Sequence, residues 1–307
     1  MRRRVAVIGR TQLAVAALEV LIAAGDEITV VVVDHDDDGI DGWQPSLRGA
    51  AQRLGLPILD PANVNDPSVV DRLAALEFDH LLSFQAGPIL RAPLIGTARI
   101  AALNLHYGPL PRYRGVAPIA WAIINGEAAT GVTLHHIDPG VDSGPLVRGA
   151  RVPIEATDTG RTLYDRCVAA GAALFAASWP EIRVLDEVPG TPQDIDDALY
   201  YNRWALDFSR RRVRWDDDCA RIANRMRAFI FPPFQYPEIA IGERRWDVGA
   251  IDWDRLPHRG RPGEVIAIED GCPVVGAAGG RITLRKLRVA GDPISADPLL
   301  VPGARLE

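Results

Sequence analysis

Asn104 and His106 stand one residue apart at the end of the apolar run 100–105, and Asp142 follows in a loop rich in glycine and proline. Residues i and i+2 of a strand face the same side, so the carboxamide and the imidazole open into one pocket. An amide N–H can donate to a developing oxyanion. An imidazole, with an unperturbed pKa of about 6.5, moves protons near neutrality. A carboxylate beside it holds the ring's orientation and favours its charged form, or relays a proton through water. Taken singly, an asparagine at a strand end also serves as a cap or turn residue and a lone histidine as a structural one; the set of three is what points to chemistry.

Directly after the strand comes Gly108-Pro109-Leu110-Pro111-Arg112-Tyr113-Arg114-Gly115, whose prolines and glycines force an irregular turn of the kind that shapes a site. A second such loop, His136-Ile137-Asp138-Pro139-Gly140-Val141-Asp142-Ser143-Gly144, carries the carboxylate. Asn-x-His, "PLPRYRG", "GVTLHHIDPGVDSGP" and the spacing from His106 to Asp142 together resemble the 10-formyltetrahydrofolate-dependent formyltransferase family, over roughly the first 180 residues. That family includes glycinamide ribonucleotide transformylase, methionyl-tRNA formyltransferase and nucleotide-sugar N-formyltransferases. In one place the chain departs from it: where the family loop reads Ser-Leu-Leu-Pro, Gly108-Pro109-Leu110-Pro111 stands here.

The resemblance implies an enzyme that moves a formyl group from 10-formyltetrahydrofolate to an amine, with Asn104, His106 and Asp142 as its catalytic groups. Asn104 would face the oxyanion of the tetrahedral intermediate, and His106 would handle the proton leaving the amine and the one gained by folate N10. The folate crevice is expected along Phe84, Gln85, Ala86, Gly87, Ile89 and Leu90 and along Asp138, Gly140 and Val141, with Gly87 allowing close backbone approach. Tyr107, Arg112 and Tyr113 are acceptor contacts by proximity alone. No metal is expected: Asp34–Asp38, with His35 among them, reads as a solvated acidic loop. His135 and His136 point to opposite sides of their strand, so at most one faces the site, and both read as structural.

The elements that must position these groups alternate. Strand-like 5–8, helix-like 13–24, strand-like 28–33, helix-like 46–54 and 69–76 and strand-like 80–84 precede the 100–105 run; a helix over 117–125 and a strand over 131–137 follow. This is an α/β pattern, a Rossmann-like, mostly parallel twisted sheet whose ligands bind at the carboxyl ends of its strands. Gly9 lacks the rest of a G-x-G-x-x-G fingerprint and reads as a tight turn. A long helix is expected over 157–177, capped by Asp158 or Thr159. Residues 186–200, acidic with Pro189, Gly190 and Pro192, read as a linker between a catalytic domain, 1–185, and a C-terminal domain, 201–307. In the latter, a helix over 216–228 precedes short strand-like runs at 264–268, 273–276 and 281–289, as in a small OB-like β-barrel.

Composition bounds the rest. At 307 residues the chain exceeds the roughly 250–300 at which single cores stop growing, which favours two domains. Hydrophobic residues at 48% and charged ones at 24% set aside disordered and fibrous classes. A formal net charge of -6, with Lys286 the only lysine, argues against a nucleic-acid surface, which needs a cationic face. Cys167, Cys219 and Cys272 lack paired spacing, so neither a disulfide framework nor a zinc site is expected. Without a signal-like or membrane-spanning segment, the expected location is cytoplasmic.

The acceptor is read from the C-terminal third. "RPGEVIAIEDGCPVVGAAGGRITLRKLRVAG" resembles the barrel appended both to methionyl-tRNA formyltransferases and to the sugar N-formyltransferase acting on UDP-4-amino-arabinose, and so does not choose between them. "RMRAFIFPPFQYP" is similar to the "RA…FPP" segment common in sugar N-formyltransferases. Arg203 and Arg210–Arg214 form a cluster that is either a solvated face or a contact for a nucleotide diphosphate. A nucleotide-linked amino sugar is therefore preferred. The alternatives are methionyl-tRNA and a small amine such as hydroxyornithine. A water-using deformylase would carry a further domain before the first strand, and a non-catalytic folate binder would be expected to lose the three polar groups. A homodimer is compatible with the resemblance.

Overall fold

Short β-branched runs become the strands of the first sheet because they are apolar on both faces. Val5, Ala6, Val7 and Ile8 are all buried, as are 28–33, which is the signature of a parallel sheet covered on each side. The computed structural model describes residues 2–194 and 196–307. Met1, and Ile195 within the acidic 186–200 stretch, lie outside the described residues.

The chain runs through β1 (Arg4–Gly9), α1 (Thr11–Ala23), β2 (Glu27–Val33), α2 (Leu47–Arg53), β3 (Ile58–Leu59), α3 (Pro67–Ala74), β4 (His80–Phe84), α4 (Ala92–Ile95) and β5 (Ala101–His106). It continues through β6 (Arg114–Gly115), α5 (Pro118–Ile124), β7 (Ala129–His136), β8 (Leu146–Pro153), α6 (Gly160–Ile182) and β9 (Tyr200–Tyr201). Seven strands form one sheet in the order β3-β2-β1-β4-β5-β7-β8. The first five are parallel, and β7 runs antiparallel to β5. The order reverses between β1 and β4, which opens a crevice at their carboxyl ends. There Gly9 has no room for a side chain: a Cβ would sit 2.2 Å from the Phe84 carbonyl oxygen. Arg10 N–H donates to that same oxygen at 3.2 Å.

The helix expected over 157–177 starts later and runs longer, over Gly160–Ile182. Thr159 Oγ1 accepts the Thr162 N–H at 3.2 Å, as an N-cap does. Toward its other end, Asp26 binds the helix to the β1–β2 edge. The Asp26 carboxylate, with no side-chain exposure, accepts from Arg183 Nη2 at 2.6 Å, Trp179 Nε1 at 2.8 Å and Arg3 N at 3.0 Å. Burial alone would raise its pKa, but these donors hold it below the usual carboxylate value. Asp26→Ala leaves charge and donors buried without their acceptor, and we expect a loss of about 3–5 kcal/mol in denaturant unfolding. Because the folded pKa is depressed, this contribution is present above the unfolded value near 3.9 and fades as pH falls through the folded one.

Contacts divide the described chain into two units. One takes residues up to Pro118, Thr130–Val152 and Arg166–Asn202, the other Ile119–Ala129, Pro153–Asp165 and Arg203–Glu307. The second unit holds α7 (Cys219–Phe229) and the strands β10 (Glu238–Ile241), β11 (Arg244–Asp254), β12 (Val265–Glu269), β13 (Cys272–Ala277), β14 (Gly280–Val289) and β15 (Asp292–Pro293). These strands make an antiparallel sheet, β10-β11-β14-β13-β12, with β15 on β14. Its core packs Ile222, Ala223 and Met226 of α7 against Trp246, Val248, Val265 and Leu284. The C-terminal tail hydrogen-bonds to both edge strands, with Val265 N–H donating to Ala304 O at 2.8 Å and Glu307 N–H to Ala240 O at 3.0 Å. β8, β10 and β11 were not legible as strands. β8 is a half-exposed edge with two arginines, and β11 interleaves charges with apolar residues around Gly249. Cys167, Cys219 and Cys272 form no disulfide among the described residues, and burial pushes the Cys219 thiol up to about 11. No helix among the described residues is long and apolar enough to cross a membrane.

Candidate active site

β5 presents Asn104 and His106 on one side, and its antiparallel partner β7 sets His135 directly opposite Asn104. The Asn104 Nδ2–H donates to His135 Nε2 at 3.0 Å, while His135 Nδ1–H donates to the His136 carbonyl at 2.7 Å. Asp142 lies between the two imidazoles. Its Oδ2 is 3.5 Å from His106 Nδ1 and its Oδ1 is 3.6 Å from His135 Nε2. His135, read from sequence as structural, therefore belongs to the site. His136 does turn away, its Nε2 bonded to the Val188 carbonyl at 3.0 Å.

The two Gly/Pro loops are tied to each other. Gly115 N–H donates to Asp142 Oδ2 at 2.8 Å and Arg114 Nε to the Val141 carbonyl at 2.9 Å. Asp142 has φ 48, left-handed backbone that costs a side-chain-bearing residue of order 1–2 kcal/mol. Gln193 braces it, donating from Nε2 to the carbonyls of Asp142 at 2.9 Å and Gly144 at 2.8 Å. In the first loop, Thr133 Oγ1 donates to Gly108 O at 2.7 Å and accepts Leu110 N–H at 3.2 Å, which fixes the turn before the cis Leu110–Pro111 bond. The acidic 186–200 stretch is also hydrogen-bonded to these loops: Thr191 exchanges backbone bonds with Leu146, and Leu199 accepts from Arg114 N at 2.8 Å.

Burial pushes the His106 pKa down, partly offset by the Asp142 charge and the Tyr113 carbonyl. Burial would raise Asp142, but His106 and the Gly115 N–H outweigh it and hold the carboxyl well below the usual range. Asp142 is thus a fixed anion beside an imidazole that titrates below its ordinary value. His106 Nε2–H donates to the Tyr113 carbonyl at 2.7 Å, so Nδ1 is the nitrogen turned to Asp142.

The departure at Gly108 bears on this ring. A Cβ at position 108 would lie 2.7 Å from His106 Nε2 and 3.0 Å from the Tyr113 carbonyl oxygen. The imidazole and its acceptor thus occupy the space a serine side chain would need.

The expected folate-side residues are spread along two turns. Phe84 is buried, edge-on to Phe175 with ring centroids 5.1 Å apart, and pairs in register with Leu105. Gln85 is left-handed, φ 55, and its Oε1 accepts from Thr11 Oγ1 at 2.8 Å across the β1/β4 switch point. Ala86 packs on the core, Leu90 is buried, and Ile89 stands exposed. Gly87 N–H faces the Asp34 carboxylate, which also has Arg10 Nε at 3.7 Å. Asp34 is thereby drawn out of the solvated loop read from sequence, and burial raises its pKa. Asp138 accepts from Gly140 N at 3.1 Å and Ser143 Oγ at 2.7 Å. Of the acceptor candidates, Tyr107 and Tyr113 are buried, and Tyr113 stacks on Tyr201 with centroids 5.9 Å apart. Arg112 is half-exposed, 3.5 Å from Asp197.

His135, Thr133, Gln193 and the Gly115 N–H escaped sequence reasoning because their roles depend on which strands pair and which loops meet. The nearest signal was the adjacency of two histidines in a strand, which left the choice of face open.

Residues 3–178 match the Formyl transferase family, and residues 206–300 match Formyl transferase, C-terminal domain. The chain is similar in structure to an N-formyltransferase from Helicobacter canadensis in complex with folinic acid and dTDP-3-aminofucose. The identity is 22%, with 92% of this chain and 99% of that one covered and a TM-score of 0.73. It is similar also to WlaRD, a sugar 3N-formyl transferase in the presence of dTDP and 5-N-formyl-THF, at 23% identity, 92% and 97% coverage and a TM-score of 0.74. HypX from Aquifex aeolicus aligns at 17% identity, with 94% of this chain, 45% of that one and a TM-score of 0.63.

Proposed function

The chain belongs to the formyl transferase family, and we propose that it transfers the formyl group of 10-formyltetrahydrofolate to the amine of a nucleotide-linked amino sugar. The observation that carries this reading is the convergence of Asn104, His106 and Asp142, joined by His135, at the exit of β5. In this reading residues 1–185 are the catalytic domain, 186–200 the connection, 201–307 an appended domain, and the protein works in the cytoplasm.

The residues present fit the donor. A formyl-bearing folate needs an apolar wall beside a carbonyl-facing amide; exposed Ile89 offers the wall, and the register of Phe84 with Leu105 sets its turn beside the strand that carries Asn104. When bound, 10-formyltetrahydrofolate supplies an activated formyl carbonyl. Asn104, held through His135, directs its amide at the carbonyl oxygen as that oxygen gains charge. His106 takes the amine's proton in its neutral form, which burial favours. Asp142 steadies the imidazolium that results, which would return its proton to folate N10 as the bond between the formyl carbon and N10 breaks, and the low pKa of Asp142 keeps it ionised throughout. His135 is a positioning residue, with one nitrogen on a backbone carbonyl and the other on the Asn104 amide.

For the acceptor, the support is a pair of structures: an N-formyltransferase in complex with dTDP-3-aminofucose, and a sugar 3N-formyl transferase in the presence of dTDP. An acidic chain with a single lysine suits a small anionic acceptor better than a tRNA. A mass-spectrometric screen of amines incubated with 10-formyltetrahydrofolate tests the reading. Nucleotide-linked amino sugars should gain one formyl mass; formylation of initiator Met-tRNA or hydroxyornithine, with the sugars untouched, would overturn it.

A further inference from the structure

We propose that the C-terminal unit carries a binding site of its own for a nucleoside diphosphate, in a cavity of about 500 Å³ rimmed by Arg210, Arg211, Arg212, Arg214, Arg221 and Arg225. In a chain of formal net charge -6, six guanidinium groups around one hollow need an explanation, because gathered like charges repel unless an anion relieves them. Carboxylates answer most of them. Arg211 has Asp247 at 3.0 Å, Arg214 has Asp216 at 2.7 Å and Arg221 has Asp217 at 3.7 Å, and both of the latter aspartates also line the cavity. Arg212 and Arg210 reach Glu238 at 3.8 Å and Asp207 at 3.2 Å. The pairs of Arg210, Arg214 and Arg221 are largely exposed, with the arginine side chains 85%, 81% and 76% accessible, and such pairs give way readily to a phosphate.

Arg225 stands apart. Among the described residues no carboxylate lies within ion-pair distance of it; its guanidinium lies over the Phe229 ring, 4.8 Å from the centroid. Arg225 is solvent-exposed, so it is accessible to a ligand, and the like charge of Arg214 acts on it, so an anion placed between the two would relieve their repulsion. Stacking uses one face of the guanidinium and leaves its N–H edges for a bidentate acceptor. The arginine segment is held in place: Val213 N–H donates to Glu238 O and Glu238 N–H to Arg211 O, each at 2.8 Å. A site ordered before binding loses less entropy on binding.

The chemistry of the lining selects the ligand class. Phe229, Met226 and Pro237, each largely buried, form an apolar floor beneath the cationic rim, which matches a molecule with a base at one end and vicinal phosphates at the other. The volume lies within the roughly 300–1,000 Å³ of small-molecule sites. Nucleic acid would instead need a cationic track along the surface rather than one hollow. Every lining residue belongs to the second unit and none takes part in the transfer proposed above, so the two readings stand or fall separately.

Arginine footprinting on the full chain tests the site. Phenylglyoxal modification, mapped by mass spectrometry, is followed with UDP, uridine, inorganic pyrophosphate and bulk tRNA. At UDP about ten times its Kd, modification of Arg214 and Arg225 should slow about tenfold, since only the unliganded fraction reacts. Uridine should give no protection and pyrophosphate less than UDP. Arg225→Gln, Arg214→Gln and the double variant should abolish the cavity's calorimetric UDP binding while formyl transfer continues. Unprotected arginines at millimolar UDP would overturn the site. Equal protection by pyrophosphate would overturn the nucleoside assignment, and protection by tRNA alone would make it a nucleic-acid contact. Lost turnover with UDP protection intact would sink only the function proposed for the first unit.

Discussion

His106→Ala lowers kcat for formyl transfer by about 10²–10⁴-fold, the usual contribution of a positioned acid–base group, while folate binding measured by calorimetry stays within a few-fold of the parent. The ring reaches Asp142 through Nδ1 and the Tyr113 carbonyl through Nε2, so its removal takes away both the proton acceptor and the group the carboxylate steadies. It is buried at the last position of β5, whereas the expected folate contact Ile89 is exposed on a different turn, so binding and turnover should separate. The pH profile adds a second check. Burial depresses the His106 pKa, so neutral base persists below pH 6.5, and kcat/KM should hold as pH falls from 7 and decline only beneath the ordinary histidine range. Unchanged turnover in the alanine variant would remove His106 from the mechanism. An acid limb centred above 6.5 would show that burial is not the dominant influence on the ring.

Asp142→Asn should cost about 10²–10³-fold in kcat, and it should move the acid limb to lower pH. Removing the anion takes away the main influence that raises the pKa of His106, leaving burial and His135, which lower it, opposed only by the Tyr113 carbonyl. The asparagine can still accept from Gly115 N–H, and Gln193 still braces the Asp142 and Gly144 carbonyls, so the loop's left-handed turn survives. A structural role alone would lower stability without moving the pH limb. A variant with wild-type kcat and an unmoved limb would mean that the carboxylate holds the loop and nothing more. Comparing the two variants also separates the roles: the alanine variant lacks the titrating group and loses the limb, while the asparagine variant keeps it at a shifted position.

Much of the site lay open in the chain before folding was considered. Asn104 and His106 face one way because strand side chains alternate, and the prolines and glycines in 108–115 and 138–144 favour irregular, loop-like backbone. The departure at Gly108 was also visible, although its meaning was not: the missing Cβ matters only because the His106 ring and Tyr113 carbonyl come to lie where it would be. The same holds for His135. Two adjacent histidines must face opposite ways, but which one meets Asn104 depends on the β5–β7 register, set by contacts between strands far apart in sequence.

By itself, the order of residues determined the alternation of strands and helices, the apolar runs that must be covered on both faces and the identity of the three polar groups. These follow from local rules of period, turn chemistry and burial, which act within a few residues. Tertiary structure alone decided that Asp142 lies between two imidazoles, that Gln193 and Gly115 hold its loop, and that arginines from 210 to 225 surround one hollow. Such meetings join residues tens of positions apart, and they arise only when the cost of closing those loops is met by burying a common core.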